Sequence, residues 1–212
     1  MLVLRGARVI DPAAGVDEIK DVFIKDGVFA EFEPAGAEVI DAPGLILAPG
    51  LVDMHVHFRD PGFTDKEDIL TGAASAAAGG VTTAVCMPNT EPVIDSAERV
   101  SCAVKRAEAA AVRVLNYAAV TTGQGGRALT DFRALKNAGA AALSDDGNPI
   151  MSADLMRRAL VFAREAGLVI SCHCEDADIV QSYAVNEGAI SQKLGIPGRP
   201  AIAEELMVAR DA

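Results

Sequence analysis

The chain has 212 residues, 50% of them hydrophobic but only 4% aromatic, so its core must be packed from Ala, Val, Leu and Ile rather than from large rings. Thirty acidic against 19 basic residues give a net charge of -11, which argues against a general affinity for nucleic acid and needs no explanation beyond solubility. No segment approaches the ~18 uninterrupted apolar residues of a membrane span, and the apolar run before Arg5 is too short for a signal peptide, so a cytoplasmic location is expected.

Residues 1–49 read as a small unit of short strands. Leu2 to Ile10 is apolar and stops at Asp11-Pro12, while Val22 to Ile24 and Val28 to Phe32 flank Lys25-Asp26-Gly27, whose Asp-Gly pair is a hairpin signal. Strands so few cannot close a domain and must pair with chain from elsewhere or pack on the residues after position 49. Residues 50–212 repeat a different pattern of strand, polar tip and helix. Strands are expected over Leu51–Phe58, Thr82–Met87, Val112–Val120, Ala140–Ser144 and Leu168–Cys174. Helices are expected over Lys66–Ala78, Ser96–Ala110, Asp131–Ala138 and Ser152–Ala166, three of them closed by Gly79-Gly80, Gly139 and Gly167. Alternating β and α with strands apolar on both sides means a parallel sheet covered by helices. No Gly-x-Gly-x-x-Gly follows a strand, and polar residues at every strand end converge only if the strands ring an axis, so a barrel is favoured over an open sheet. A whole barrel takes about 250 residues, which makes this α/β chain a partial one of about five strand-helix units.

The segment Gly50 to Gly62 carries the most chemistry. In an extended chain alternate residues point the same way and lie ~6.6 Å apart, so His55 and His57 can reach one metal ion and Arg59 lies one step beyond. The opposite parity, Val52, Met54, Val56 and Phe58, suits packing against helices. The other strand ends add Asn89, the doublet Asp145-Asp146, and His173. Each has a plain structural reading: a turn residue beside proline, a turn preceding a helix cap, a hydrogen-bonded core histidine. Two adjacent carboxylates at a strand tip nevertheless repel unless a cation lies close. Three histidines and an aspartate on one rim are donors that suit zinc, which would activate water for hydrolysis of a C–N bond. Cys86, Cys102, Cys172 and Cys174 are expected to be free, buried and structural. On a strand the sulfurs of Cys172 and Cys174 would face away from His173, so a compact Cys-His-Cys zinc knot is disfavoured.

These residues, His-Val-His-Phe-Arg-Asp-Pro-Gly from His55, then Lys66-Glu-Asp, Ala78-Gly-Gly-Val-Thr-Thr, Cys86-Met-Pro-Asn-Thr, Ser144-Asp-Asp-Gly and His173-Cys-Glu, resemble dihydroorotase of the bacterial class I type in the amidohydrolase superfamily. The similarity runs along essentially the whole chain with its motifs in order. It implies a TIM barrel, here the N-terminal part over 50–212, with N-terminal β-sandwich strands over 1–49. It also implies zinc-dependent interconversion of N-carbamoyl-L-aspartate and L-dihydroorotate in de novo pyrimidine (UMP) biosynthesis, with one or two zinc ions. By this resemblance His55 and His57 bind the first metal, His173 the second, and Asp146 bridges, with Asp145 the fallback because the doublet leaves the register open. Arg59 and Asn89 would hold the substrate carboxylate, a role that a bidentate guanidinium fits. The family's further histidine on the sixth strand and its general acid/base aspartate on the eighth have no counterpart in these 212 residues, which implies weak or no turnover by this polypeptide alone.

Two rival readings stay open. Allantoinases and hydantoinases share the His-x-His strand and the Ala-Gly-Gly-Val-Thr-Thr helix exit, and Arg59 with Asn89 separates them from a carboxylate-binding site. Degenerate dihydroorotase-like chains also serve as non-catalytic partners of aspartate transcarbamoylase, although a scaffold has no need of three retained histidines. An open five-stranded arc leaves two unpaired edges, which a homo-oligomer or another partner is expected to cover.

Overall fold

In the computed structural model, which describes residues 1–180 and 184–212, the chain divides into two units, Met1–Leu51 and Val52–Ala212. The first is one mixed sheet of β1 (Leu2–Asp11), β2 (Val16–Lys25), β3 (Val28–Ala30), β4 (Glu38–Asp41) and β5 (Ile46–Leu47). Its order is β3-β2-β1-β4, with β5 also on β1. Asp26 and Gly27 have φ of 53° and 79°, the left-handed pair that a tight two-residue hairpin requires, and Lys25 accordingly faces Val28 across β2 and β3. The second strand is longer than its apolar core suggests, because β1 and β2 are an antiparallel pair with Asp11 opposite Val16, and Arg8 grips Asp17 through two bonds of 2.7 Å. Gly6, at φ 70°, forms the bulge in β1 and donates its N–H to Asp21.

The second unit is a curled parallel half-barrel sheet with helices on its outer face. Its strands are β6 (Leu51–Val56), β7 (Val81–Cys86), β8 (Arg113–Ala118) and β9 (Ala142–Leu143), in that spatial order. Helices α1 (Ile69–Ala78), α2 (Ala97–Ala107), α3 (Phe132–Asn137) and α4 (Ala153–Ala166) intervene, and α5 (Ala189–Leu194) and α6 (Ile202–Asp211) follow. Side chains set where the first four begin: Asp68, Ser96, Asp131 and Ser152 each accept a backbone N–H of the first turn. The cap at Asp68 is why α1 starts at Ile69 rather than at Lys66. Gly167, at φ 66°, closes α4 in the left-handed conformation.

Strand parity divides the core. Ala84 and Cys86 of β7 and Val114 of β8 pack with Phe58, Ile69 and Ala73 beneath α1, whereas Val85, Met87, Tyr117 and Ala142 form a separate cluster on the other face. The largest cluster joins Val100, Leu135, Leu143, Met156 and Ala159 between the sheet and α2 to α4.

Two expectations need correction. The fifth strand is reduced to one parallel bridge, Leu143 with Ile170, made by Leu143 N–H to Val169 and Ser171 N–H to Leu143. A strand pairs only as far as its neighbour extends, and β9 is only two residues long: beyond it Ser144 N–H makes one more bond to Ala118 and the Asp145 side chain accepts Val120 N–H. Val52 and Met54, expected to be covered, are 61% and 67% exposed. β6 is an edge strand, and the residues of α1 that pack inward meet Phe58 and Val56 at its C-terminal end, not its start. Among the described residues no helix is long and apolar enough to cross a membrane.

Phe58 owes its place to Gly72, since a Cβ there would lie 2.4 Å from the ring. Gly72→Ala gains about 1 kcal/mol of helix propensity but faces an overpacking cost of about 1–3 kcal/mol. A net loss of stability on chemical denaturation is expected, and a variant as stable as the parent would show that the ring can move aside.

Candidate metal centre

The tips of β6, β7 and β9 and the segment after Ile170 converge on one carboxylate. Asp146 is 6% exposed and its two oxygens face three imidazoles. His55 Nε2 lies 3.5 Å from Oδ1, His57 Nε2 lies 3.4 Å from Oδ2, and His173 Nδ1 lies 3.2 Å from Oδ1. The two Nε2 atoms of His55 and His57 are 3.3 Å apart, with the rings edge to face at a centroid distance of 5.1 Å. The shared parity of the two histidines therefore does bring both rings to one point.

These spacings test the fit of a metal. A tetrahedral ion with bonds of ~2.0–2.1 Å holds its ligand atoms ~3.3–3.4 Å apart. His55, His57 and Asp146 offer one donor atom each, all within 4.8 Å of one another; the 3.3 Å between the two Nε2 atoms matches that edge length, and each Nε2 approaches a different oxygen of Asp146, at 3.5 and 3.4 Å. Two imidazole nitrogens and a carboxylate oxygen are also the donor chemistry that such an ion takes.

Asp145 and Asp146 divide the labour because consecutive residues of an extended segment point opposite ways. Asp145 faces away from the histidines. Its Oδ1 accepts Val120 N–H at 2.7 Å and Thr121 N–H at 3.1 Å, and its Oδ2 accepts the Thr121 hydroxyl. Burial pushes its carboxyl above the usual range, and the bonds from Thr121 and Val120 pull against that. Gln124, buried with a left-handed φ of 52°, reaches the Asp146 carbonyl oxygen with its Nε2 at 3.4 Å. Neither Thr121 nor Gln124 is among the residues expected from the sequence. The signal that could have found them is the polar run Thr-Thr-Gly-Gln-Gly-Gly directly after Val120, since every other strand tip in this unit also carries the polar groups.

Asn89 sits between His57 and Asp146, its Oδ1 3.0 Å from His57 Nδ1 and its Nδ2 donating to Asp146 Oδ2 at 3.2 Å. Arg59 has a left-handed backbone with φ 58°, so a turn directs it and the strand parity does not, because β6 ends at Val56. All four cysteines are free, but only Cys86 is buried: Cys102 is exposed, and Cys172 and Cys174 are half-buried. Burial pushes the Cys86 thiol up to about 12. Residues 172–174 do not form a strand, and the Cys172 thiol, pushed up to about 11 chiefly by burial, interacts with Asp211 rather than with His173.

A family model, Dihydro-orotase-like, matches residues 44–212. The chain belongs to the dihydroorotase-like family. It is 47% identical over 216 residues to the dihydroorotase of Geobacter sulfurreducens, covering 99% of this chain and 51% of that one. It is 50% identical over 215 residues to that of Solibacter usitatus, covering 99% and 50%. The chain thus spans about half the length of the curated relatives it matches. Among solved structures, the L-hydantoinase of Arthrobacter aurescens superposes with a TM-score of 0.79 at 22% identity, over 99% of this chain and 49% of that one. The D-hydantoinase of Bacillus sp. AR9 gives 0.72 at 21% identity, over 100% and 49%. These likenesses show the fold. Membership of the dihydroorotase-like family implies a divalent metal, and the His55, His57 and Asp146 group offers a donor set for one.

The pair of Asp146 and His173 makes the metal-free chain sensitive to pH. The His173 hydrogen bond, with the positive potential of His55 and His57, holds the Asp146 carboxyl below its usual range against burial. The Asp146 hydrogen bond in turn holds the His173 imidazole above its usual range, again against burial. Stability from the lowered acid is present above about pH 4 and is lost as pH falls through its folded value; stability from the raised base is full below about pH 6.5 and is lost as pH rises through its folded value. Denaturation of chelator-treated protein should therefore show the pair's contribution in full only between about pH 4 and 6.5. His173→Gln should flatten both flanks, and an unchanged pH profile in that variant would refute the coupling.

Proposed function

We propose that this chain carries the metal-binding and carboxylate-binding residues of a dihydroorotase, a zinc-dependent hydrolase interconverting N-carbamoyl-L-aspartate and L-dihydroorotate in pyrimidine biosynthesis. The observation that carries the reading is the set of separations among His55 Nε2, His57 Nε2 and the Asp146 oxygens, 3.3 to 3.5 Å, set beside the family to which the chain belongs. His55, His57 and Asp146 would hold one ion, and His173, whose Nδ1 faces Oδ1 of the same carboxylate, a second. When bound, zinc supplies Lewis acidity, polarising an amide carbonyl and lowering the pKa of water to about 7.

The protein's own part is to gather and orient. Asp146, its backbone bonded by Gln124 and its neighbour Asp145 held by Val120 and Thr121, keeps a charge at the centre of the imidazoles. Arg59 stands at the exit of the strand that bears His55 and His57, with no hydrogen bond or ion pair to its guanidinium among the described residues, so it is available to a substrate carboxylate. That contact favours a substrate with a carboxylate beside the scissile amide over hydantoin or allantoin, which lack one. The substrate is then a small anion, and the arginine and the metal together offset the repulsion of an acidic chain.

Two measurements test the reading. Equilibrium dialysis against zinc should load one or two ions per chain and none at the first site in a His55→Ala, His57→Ala double variant; a folded parent without stoichiometric zinc would sink the proposal. Removing a bidentate charged contact costs about 1.5–3 kcal/mol, or about 10–100-fold in affinity. Arg59→Ala should therefore weaken binding of N-carbamoyl-L-aspartate by that factor and leave hydantoin binding unchanged, and equal losses for both would remove Arg59 from the carboxylate site.

A further inference from the structure

We propose that Asn89 is a positioning residue of the metal centre, one that fixes which nitrogen of His57 faces the ion and where Asp146 points, whatever it does toward substrate. This rests on the reading of His55, His57 and Asp146 as metal ligands.

Elimination among donors and acceptors leaves one arrangement. Asn89 touches two groups, His57 Nδ1 at 3.0 Å and Asp146 Oδ2 at 3.2 Å. A carboxylate can only accept, so the amide NH2 must face Asp146. The carbonyl end then faces His57, and a carbonyl too can only accept. Nδ1 of His57 must therefore carry a hydrogen. Turning the amide over would set its oxygen against the Asp146 carboxylate, and moving the imidazole proton to Nε2 would set two lone pairs against each other at 3.0 Å. In a neutral ring this leaves Nε2 as the lone-pair nitrogen, 3.3 Å from His55 Nε2 and 3.4 Å from Asp146 Oδ2, so that three electron-rich atoms face one point where a cation would satisfy them together.

The post is rigid as well as matched. Met87 and Pro88, just before Asn89, are fully buried, and Thr90 just after it is 5% exposed. Met87 N–H bonds to Val56 on the histidine strand, while Thr90 N–H and Ile94 N–H both bond to the Pro88 carbonyl. The Thr90 hydroxyl adds a bond to Pro92. Asn89 thus stands on a backbone that is tied to the strand whose histidine it orients. A group that fixes the outer nitrogen of a metal-bound histidine typically contributes about 10–100-fold in metal affinity.

The test uses the whole chain, zinc with a chromophoric chelator as competitor, and long-range proton–nitrogen spectra of the imidazoles in the metal-free protein. The His57 signals are assigned by their loss in His57→Gln. In the parent, His57 should show its hydrogen on Nδ1. Asn89→Leu should lower zinc affinity by about 10–100-fold with no substrate present and shift His57 away from that tautomer. Asn89→Asp, which keeps the acceptor toward His57 Nδ1 but replaces the donor toward Asp146 with an oxygen, should retain the tautomer; it also serves if the leucine variant fails to fold. Folded Asn89→Leu with unchanged zinc affinity and unchanged tautomer would overturn the proposal and leave Asn89 a substrate contact alone, as would loss of the tautomer in Asn89→Asp. A parent that takes up no zinc would refute the metal reading instead, and the tautomer spectra would still decide whether Asn89 orients His57.

Discussion

A buried carboxylate surrounded by three imidazoles is the constraint on which the second unit's arrangement depends. Asp146 is placed where an ionised acid is costly unless compensated, and the groups that compensate it come from three separate places: His55 and His57 from β6, Asn89 from the end of β7, His173 from the segment beyond the bridge at Ile170. Convergence of this kind requires a curled sheet, since the tips of a flat one would diverge. The fold and the charge arrangement are thus two views of one requirement. The half-barrel brings the imidazoles together, and the acid at the centre gives them a reason to stay.

The adjacent acid shows how the chain meets a like-charge problem. Two neighbouring carboxylates repel if they share a space, but strand pleating sends them to opposite sides. Asp145 receives two backbone N–H groups and a hydroxyl from the loop after β8, and Asp146 receives the imidazoles. Each solution supports the other. The grip on Asp145 removes rotational freedom from the segment that presents Asp146, while Gln124 bonds to the Asp146 backbone itself. Without that grip, a two-residue strand such as β9 would be a poor platform for a side chain that must be held to within about half an ångström.

Much of this is legible in the sequence, and the limits of legibility have a physical pattern. The parity of His55 and His57, the four capped helices and the strands from β6 to β9 follow from local rules of spacing and capping, and local rules are written in consecutive residues. The choice between Asp145 and Asp146 is not local, because the donors that capture Asp145 lie 24 and 25 residues earlier. Arg59 misleads for a related reason: the strand period, extended as far as this residue, runs three residues past the point where β6 stops, and there the backbone turns left-handed. The exposure of Val52 and Met54 likewise depends on which strand lies at the edge of the sheet, a property of topology rather than of the apolar pattern that the residues display. Thr121 and Gln124 look like ordinary loop residues until the Asp145 carboxylate and the Asp146 carbonyl that they bond are brought opposite them.

The same geometry ties metal, proton and fold into one equilibrium. In the metal-free chain the charge of Asp146 is balanced chiefly by a hydrogen bond from His173, with His55 and His57 close by, and the His173 ring is held toward its protonated form by that acid. A dication held at this centre would supply positive charge in place of those protons, and because imidazoles bind metal in their neutral form its affinity would rise with pH through the histidine range. On the proposed role of Asn89, His57 would be the exception: with a hydrogen on the nitrogen turned toward Asn89, the neutral ring would present Nε2 as a free donor. A site with one donor already set in its binding form would lose less free energy on loading than one in which every donor must first be cleared, and Asn89, the side chain that would set the difference, touches His57 and Asp146.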